Sequence, residues 1–303
     1  MTEPLAGVAG PADDTDVAGF WRSLGLPGAV DLHVHFMPDR VLRKVWGYFG
    51  SVRFPDGTPW PVVYQLDQDA RVARLQAMGV TRFGALAYAH RPGMATWLNA
   101  WSAEFAAAVP DALHCATFYD EPDADAYVAM ALEAGAELFK VHLQVGAFDP
   151  RSPRLRPVWT RLAAARVPVV VHAGSGPLPG AYTGPEVFGE VLAAHPQLTV
   201  VIAHMGMPEY QAFWELAVGH ANVHVDTTMV FTDFVERFAP YPRAMLPRLA
   251  EHPDRVVLGS DFPNIPYRYA HQIDALTRLG LGADWLRAVC WRNPRRLLGV
   301  EAT

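Results

Sequence analysis

The run Asp31-Leu32-His33-Val34-His35 sets two histidines two residues apart in an apolar stretch. Side chains alternate across a strand, so His33 and His35 point the same way. Two imidazoles on one rigid face are a ready pair of ligands for a divalent metal. Alone the pair is a weak signal, because histidines spaced this way are often structural. Further polar groups close apolar runs that do not explain them: Lys140 and His142 in LFKVHL, His172 in VVVHAG, His204 in VIAHMG and Asp261 in VLGSDFP. Three imidazoles and a carboxylate around an open position make up a catalytic rather than a structural divalent site. The alternative is that each group is separately satisfied in a core, which asks for several coincidences at once.

Such groups need strand ends to converge on. β-rich runs occur at 30–36, 81–88, 112–119, 138–143, 167–172, 198–204, 223–228 and 255–260. Helical patterns fill 67–78, 95–108, 124–134, 158–165, 187–194, 210–218, 233–250 and 269–279. VPVVV, TVVIA and RVVLG are continuously apolar, as strands covered on both faces must be, and such strands are usually parallel. Eight strands alternating with eight helices predict an α/β chain folded as one (β/α)8 TIM barrel, whose sites form at the strand C-termini. An open doubly wound sheet is the competing architecture, but neither GxGxxG nor a P-loop occurs. Residues 37–66 far exceed an ordinary βα loop and carry Trp46, Tyr48, Phe49, Phe54, Trp60 and Tyr64. This insertion after the first strand is expected to pack on the barrel rim, and also to serve as a lid or pocket wall. Residues 1–20, rich in Ala, Gly, Pro and Asp, read as a flexible or loosely packed arm, with a single domain over 21–303.

Composition narrows the function. The 303 residues are 51% hydrophobic and 18% charged, enough for a large core. A net charge of -6 argues against a nucleic-acid partner. No apolar run reaches the ~18 residues of a membrane span. The first residues show neither a basic nor a continuous apolar segment of the secretory kind, and Cys115 and Cys290 make no disulfide framework. A soluble cytoplasmic protein acting on a small molecule is expected.

DLHVH (31–35), FKVH (139–142), VVVHAG (169–174), VIAHMG (201–206), GSDFP (259–263) and WRNPRRLLG (291–299) together resemble the amidohydrolase superfamily. The nearer likeness is the amidohydrolase-2 group of hydrolases, lactonases and aminocarboxymuconate-semialdehyde decarboxylase-type enzymes, over roughly residues 30–299. The resemblance implies that His33, His35, His172 and Asp261 coordinate one divalent metal, Zn2+ first, with Mn2+ or Fe2+ as alternatives. It implies that His204 polarises the substrate or the water, that Asp261 also accepts the water's proton, and that the chain is a homodimer. Lys140 stays open among three roles: a carbamylated bridge between two metals, a cation for a substrate carboxylate, or a partner of a nearby acid.

The expected function is metal-dependent hydrolysis of an ester, lactone or amide through a metal-activated water. Non-oxidative decarboxylation of an unsaturated or aromatic acid is the second reading, and a non-catalytic binding barrel the third. His142, on the Lys140 face, is a pocket-wall candidate. Arg91 and His90 after the second strand and Arg268 after the last could grip an anion, and Trp60 a planar group. Asp31 could orient a ligand histidine or serve structure alone, while Asp226 could bind a substrate hydroxyl or hold a loop. Residues 174–180 make a mobile loop beside His172. His114, His195, His220, His252 and His271 have no assigned role.

Overall fold

The computed structural model describes residues 8–53 and 57–300. Phe54 of the insertion and residues 1–7 of the expected arm therefore fall outside the described residues. Nine parallel strand segments occupy eight positions: β1 (Ala29–His35), β2 (Val80–Leu86), β3 (Ala112–Leu113), β4 (Cys115–Thr117), β5 (Leu138–His142), β6 (Val169–His172), β7 (Val200–Ile202), β8 (Val223–Asp226) and β9 (Val256–Val257). β3 and β4 are one run broken at His114, whose N–H is taken by the Glu137 carboxylate. Neighbours pair in chain order, β1 to β3 in one ladder and β4 to β9 in the other. The last strand returns to the first: Leu32 N–H donates to Leu258 O (3.0 Å) and Asp261 N–H to His33 O (2.8 Å). The chain is a (β/α)8 barrel, and its strands are buried along their length because helices cover the outside and side chains fill the inside.

The N-terminal arm needs correction. Residues 14–23 form helix α1 (Asp14–Ser23), which buries Val17, Phe20 and Trp21. Trp21 Nε1 donates to Met78 O at 3.0 Å, and the Asp14 carboxylate accepts from Tyr64 OH (2.5 Å) and Ala270 N–H (3.0 Å). The composition is loop-like, but three large apolar residues on one helical face override it. Trp21→Ala is therefore expected to cost about 3–5 kcal/mol in urea unfolding, where a loosely packed arm would show almost no change.

Two further elements differ in extent. The insertion contains helix α2 (Asp39–Ser51), followed by α3 (Gln68–Ala77) outside it. The single helix expected over 233–250 is two short ones, Asp233–Glu236 and Leu246–Glu251. Pro240 and Pro242 lie between them and cannot continue the hydrogen-bond ladder.

Candidate active site

The C-terminal ends of the strands open into a cavity of about 900 Å³. His33 and His35 reach it from β1, Lys140 and His142 from β5 and His172 from β6. His204 follows β7 and Asp261 follows β9. Arg91, His90 and Trp60 line it too, so these ten residues border one space. Arg268 does not; it pairs with Asp13 at the surface.

Inside the cavity the hydrogen bonds decide which histidine nitrogens are bare. His33 Nδ1 meets Asp226 Oδ2 at 2.7 Å, His35 Nδ1 meets Leu86 O at 3.1 Å, and His204 Nδ1 meets Thr228 O at 3.2 Å. A carbonyl or carboxylate oxygen only accepts, so each Nδ1 carries a proton, and a neutral ring then keeps its lone pair on Nε2. That is the tautomer a metal-binding imidazole needs, fixed from behind by its outer partner. The ligand atoms of His33, His204 and Asp261 lie within 4.8 Å of one another, a possible metal site. His35 Nε2 lies 3.0 Å from Asp261 Oδ1, and His33 Nε2 lies 3.7 Å from it. An imidazole lone pair that close to a carboxylate oxygen is repelled unless a cation or a proton lies between them. The donor set thus fits a divalent ion.

His172, expected among the metal ligands, lies outside that three-residue group. Its Nε2 faces Gly176 O at 2.9 Å, and its ring stacks on His142 at 3.8 Å between centroids. The stack follows from register, because His142 and His172 are directly paired neighbours in the parallel ladder. His204, expected to act beside the metal, sits in the tightest group instead.

Burial disfavours the charged form of four of these rings. It lowers His33, His142 and His204 well below the ordinary histidine range, with neighbouring Lys140 or histidines adding to the effect. His172 falls to about 3 for the same reasons, burial first and then Lys140. Lys140, fully buried with Nζ 3.3 Å from His33 Nε2, drops to about 8, desolvation outweighing the pull of Asp226 and Asp261. The unfolded chain then binds more protons than the folded one between about pH 8 and the ordinary lysine value of 10.5. Stability contributed through this group therefore rises with pH across that window. Lys140→Met is expected to unfold at higher urea than the native chain at pH 7, with the gap closing toward pH 10.

Of the two roles open to Asp226, a substrate hydroxyl or a loop, the structure shows the second, together with a bond to His33. Fully buried, it holds His33 with Oδ2 and accepts the N–H groups of His204 (2.8 Å) and Thr228 (3.1 Å) with Oδ1. Asp31 accepts from His33 N–H (3.1 Å) and Tyr269 OH (3.0 Å), bracing the strand rather than a ring. His204 and Asp261 both have left-handed backbones, φ 54° and 70°. Non-glycine residues held there cost about 1–3 kcal/mol each and persist only where their surroundings fix them. Here the Asp226 carboxylate and His33 O fix them through their backbone N–H groups. Gly259 allows the close approach, since a Cβ there would stand 2.1 Å from Thr228 Oγ1 and 2.8 Å from His33 Cβ.

Sequence reasoning passed over Arg40, Lys44, Tyr88 and Trp97, all of which line the cavity. The four-residue spacing of Arg40, Lys44 and Tyr48 is the available signal, and it puts them on one face only because 39–51 is a helix.

A family model described as Amidohydrolase matches residues 30–300. Among solved structures, an uncharacterised TIM-barrel protein from Bordetella bronchiseptica aligns with a TM-score of 0.70 at 19% identity, over 90% of this chain and 99% of that one. A probable 2-pyrone-4,6-dicarboxylic acid hydrolase from Acinetobacter baumannii gives 0.61 at 14% identity, over 90% and 99%. The 5-carboxyvanillate decarboxylase of Sphingomonas paucimobilis gives 0.60 at 15% identity, over 91% and 100%. No curated protein matches the sequence. Identities this low establish the barrel and leave the reaction open between hydrolysis and decarboxylation. No helix among the described residues is long and apolar enough to cross a membrane. The family match runs from the first barrel strand to the closing helix, and on it the chain belongs to the amidohydrolase family.

Proposed function

We propose that this chain is a metal-dependent hydrolase that cleaves an ester, lactone or amide bond in a small organic molecule. The observation that carries the reading is the grouping of His33, His204 and Asp261, with His35 beside them, at the buried end of the cavity. These residues would hold the ion, with Zn2+ the best match to imidazole and carboxylate donors, and Mn2+ or Fe2+ the alternatives. A bound divalent ion supplies Lewis acidity, polarising a carbonyl and lowering the pKa of water toward ~7.

The protein's own groups do the rest. Asp261 accepts the proton of the attacking water and returns it to the leaving group. Asp226 keeps the His33 lone pair aimed at the centre. Lys140 presents its amine to a substrate oxygen from a buried position where electrostatic contacts are strong. Trp60, stacked on Phe49 at 4.6 Å, seats a planar or apolar portion against the wall.

The test is metal content by elemental mass spectrometry combined with turnover of an ester and lactone panel in 18O-labelled water. About one equivalent of divalent metal, activity lost to a chelator, and label in the product acid are expected. About two equivalents would support carbamylated Lys140. Release of carbon dioxide from an unsaturated or aromatic acid, with no label taken up from any ester, replaces hydrolysis by decarboxylation. Protein that never takes up metal ends the mechanism.

A further inference from the structure

The chemistry above uses the buried end of the cavity and leaves its outer part unexplained. There α2 turns one face inward: Arg40, Lys44 and Tyr48 recur every fourth residue, beside Val41, Val45 and Phe49 at the same spacing. Residues four apart on a helix stand above one another, so the two cations share one stripe. His90 and Arg91, just after β2, join the same lining. Burial, then Arg91 and Lys44, hold His90 below its ordinary range, so the three share one neighbourhood.

Two features make this cluster more than scattered surface charge. The chain has 31 Asp and Glu against 25 Lys and Arg, yet among the described residues the cavity lining holds Arg40, Lys44, Arg91 and Lys140 against Asp261 alone. None of Arg40, Lys44 and Arg91 has a carboxylate within ion-pair distance among the described residues. Arg40 is also positioned, its guanidinium 4.4 Å over the Trp97 ring. An arginine stacked on an aromatic face still offers its N–H edge to an anion.

We propose that Arg40, Lys44 and Arg91 form a subsite at the cavity mouth for a compact anion, a carboxylate or phosphate, carried on the part of the substrate remote from the reacting bond. The inference rests on the reading that the reaction occurs at Asp261 and its histidines. It deepens that reading by naming the substrate class: a molecule with its scissile group at the buried end, an apolar or planar middle against Trp60 and Phe49, and a charged far end. A basic mouth on an acidic protein also draws such anions in and raises their encounter rate at low salt.

The experiment is calorimetric binding of three probes to the metal-loaded protein: 4-carboxybenzoate, 4-phosphonobenzoate and the neutral-ended 4-carbamoylbenzoate. Both doubly charged probes are expected to bind about tenfold or more tightly than the carbamoyl probe, and the tighter of the two identifies which anion the subsite prefers. The preference should fall to within about twofold in the combined variant Arg40→Gln, Lys44→Gln, Arg91→Gln, and shrink in roughly 0.5 M salt. Charged probes that bind no better than the neutral one overturn the subsite, as does a preference that survives the triple substitution. Because binding needs no turnover, the two readings fail separately. A protein that prefers the dianions but takes no 18O from water keeps the subsite and loses the hydrolase reading. One that hydrolyses charged and neutral esters equally well keeps the reaction and loses the subsite.

Discussion

Asp261→Asn is expected to lower kcat by about 10³-fold, with KM changed far less. Asparagine keeps the shape of the side chain, so the left-handed turn, its N–H bond to His33 O and the packing around it survive. What disappears is the negative charge 3.0 Å from His35 Nε2 and, among the described residues, the only carboxylate lining the cavity that can take a proton from water. Proton transfer occurs in the transition state rather than in the bound complex, so the loss falls on kcat. The assay belongs at saturating metal, because the same substitution removes a ligand and weakens metal binding independently. A loss under tenfold at full metal occupancy would mean that some other group accepts the proton.

Asp226→Asn should be almost as damaging, although the residue is buried behind His33 and does not line the cavity. The amide has one possible orientation. Its oxygen must still accept the N–H groups of His204 and Thr228, which turns its NH2 toward His33 Nδ1. A donor there forces the proton of His33 onto Nε2, the atom that must be bare for metal. Metal affinity should fall by about 10–100-fold. In serine proteases, the same exchange behind the active-site histidine lowers kcat by about 10⁴, the scale to expect where the wrong tautomer persists. Nitrogen NMR of the His33 ring separates this from a folding defect, since the proton moves from Nδ1 to Nε2 while the urea midpoint stays near that of the native chain. Asp226→Ala provides the contrast. It removes the acceptor of His33 Nδ1 and leaves two buried backbone N–H groups, those of His204 and Thr228, unpaired, so it should also lose stability, by about 1–3 kcal/mol per group. An Asp226→Asn protein that binds metal normally, with His33 still protonated on Nδ1, would remove Asp226 from the machinery.

The barrel was legible because its causes are local. Continuously apolar runs such as VPVVV and TVVIA mark strands covered on both faces, and helical patterns between them leave little choice of topology. His33, His35, Lys140, His142, His172, His204 and Asp261 were legible for a related reason. Each ends an apolar run that offers it no other purpose, and barrel geometry brings strand ends to one mouth. Helix α1 was missed because loop-like composition outweighed three spaced apolar residues whose partners, Met78 and the helix at 269–277, are distant in sequence. The cations on α2 were missed because their spacing has meaning only once that segment is known to be a helix.

Residue types and spacing by themselves determined that this chain builds a parallel barrel with imidazoles, a lysine and a carboxylate at one end. Only the tertiary structure decided which ring nitrogens are bare, that His172 turns to Gly176 while His204 joins His33 and Asp261, and that Asp226 works from behind. It also decided that cations crowd the mouth of an acidic protein. The physical reason is range. Backbone periodicity depends on residues a few positions apart, whereas a tautomer or a local excess of charge is set by whichever groups the fold brings within a few ångströms, as it does His33 and Asp226, 193 positions apart in the chain.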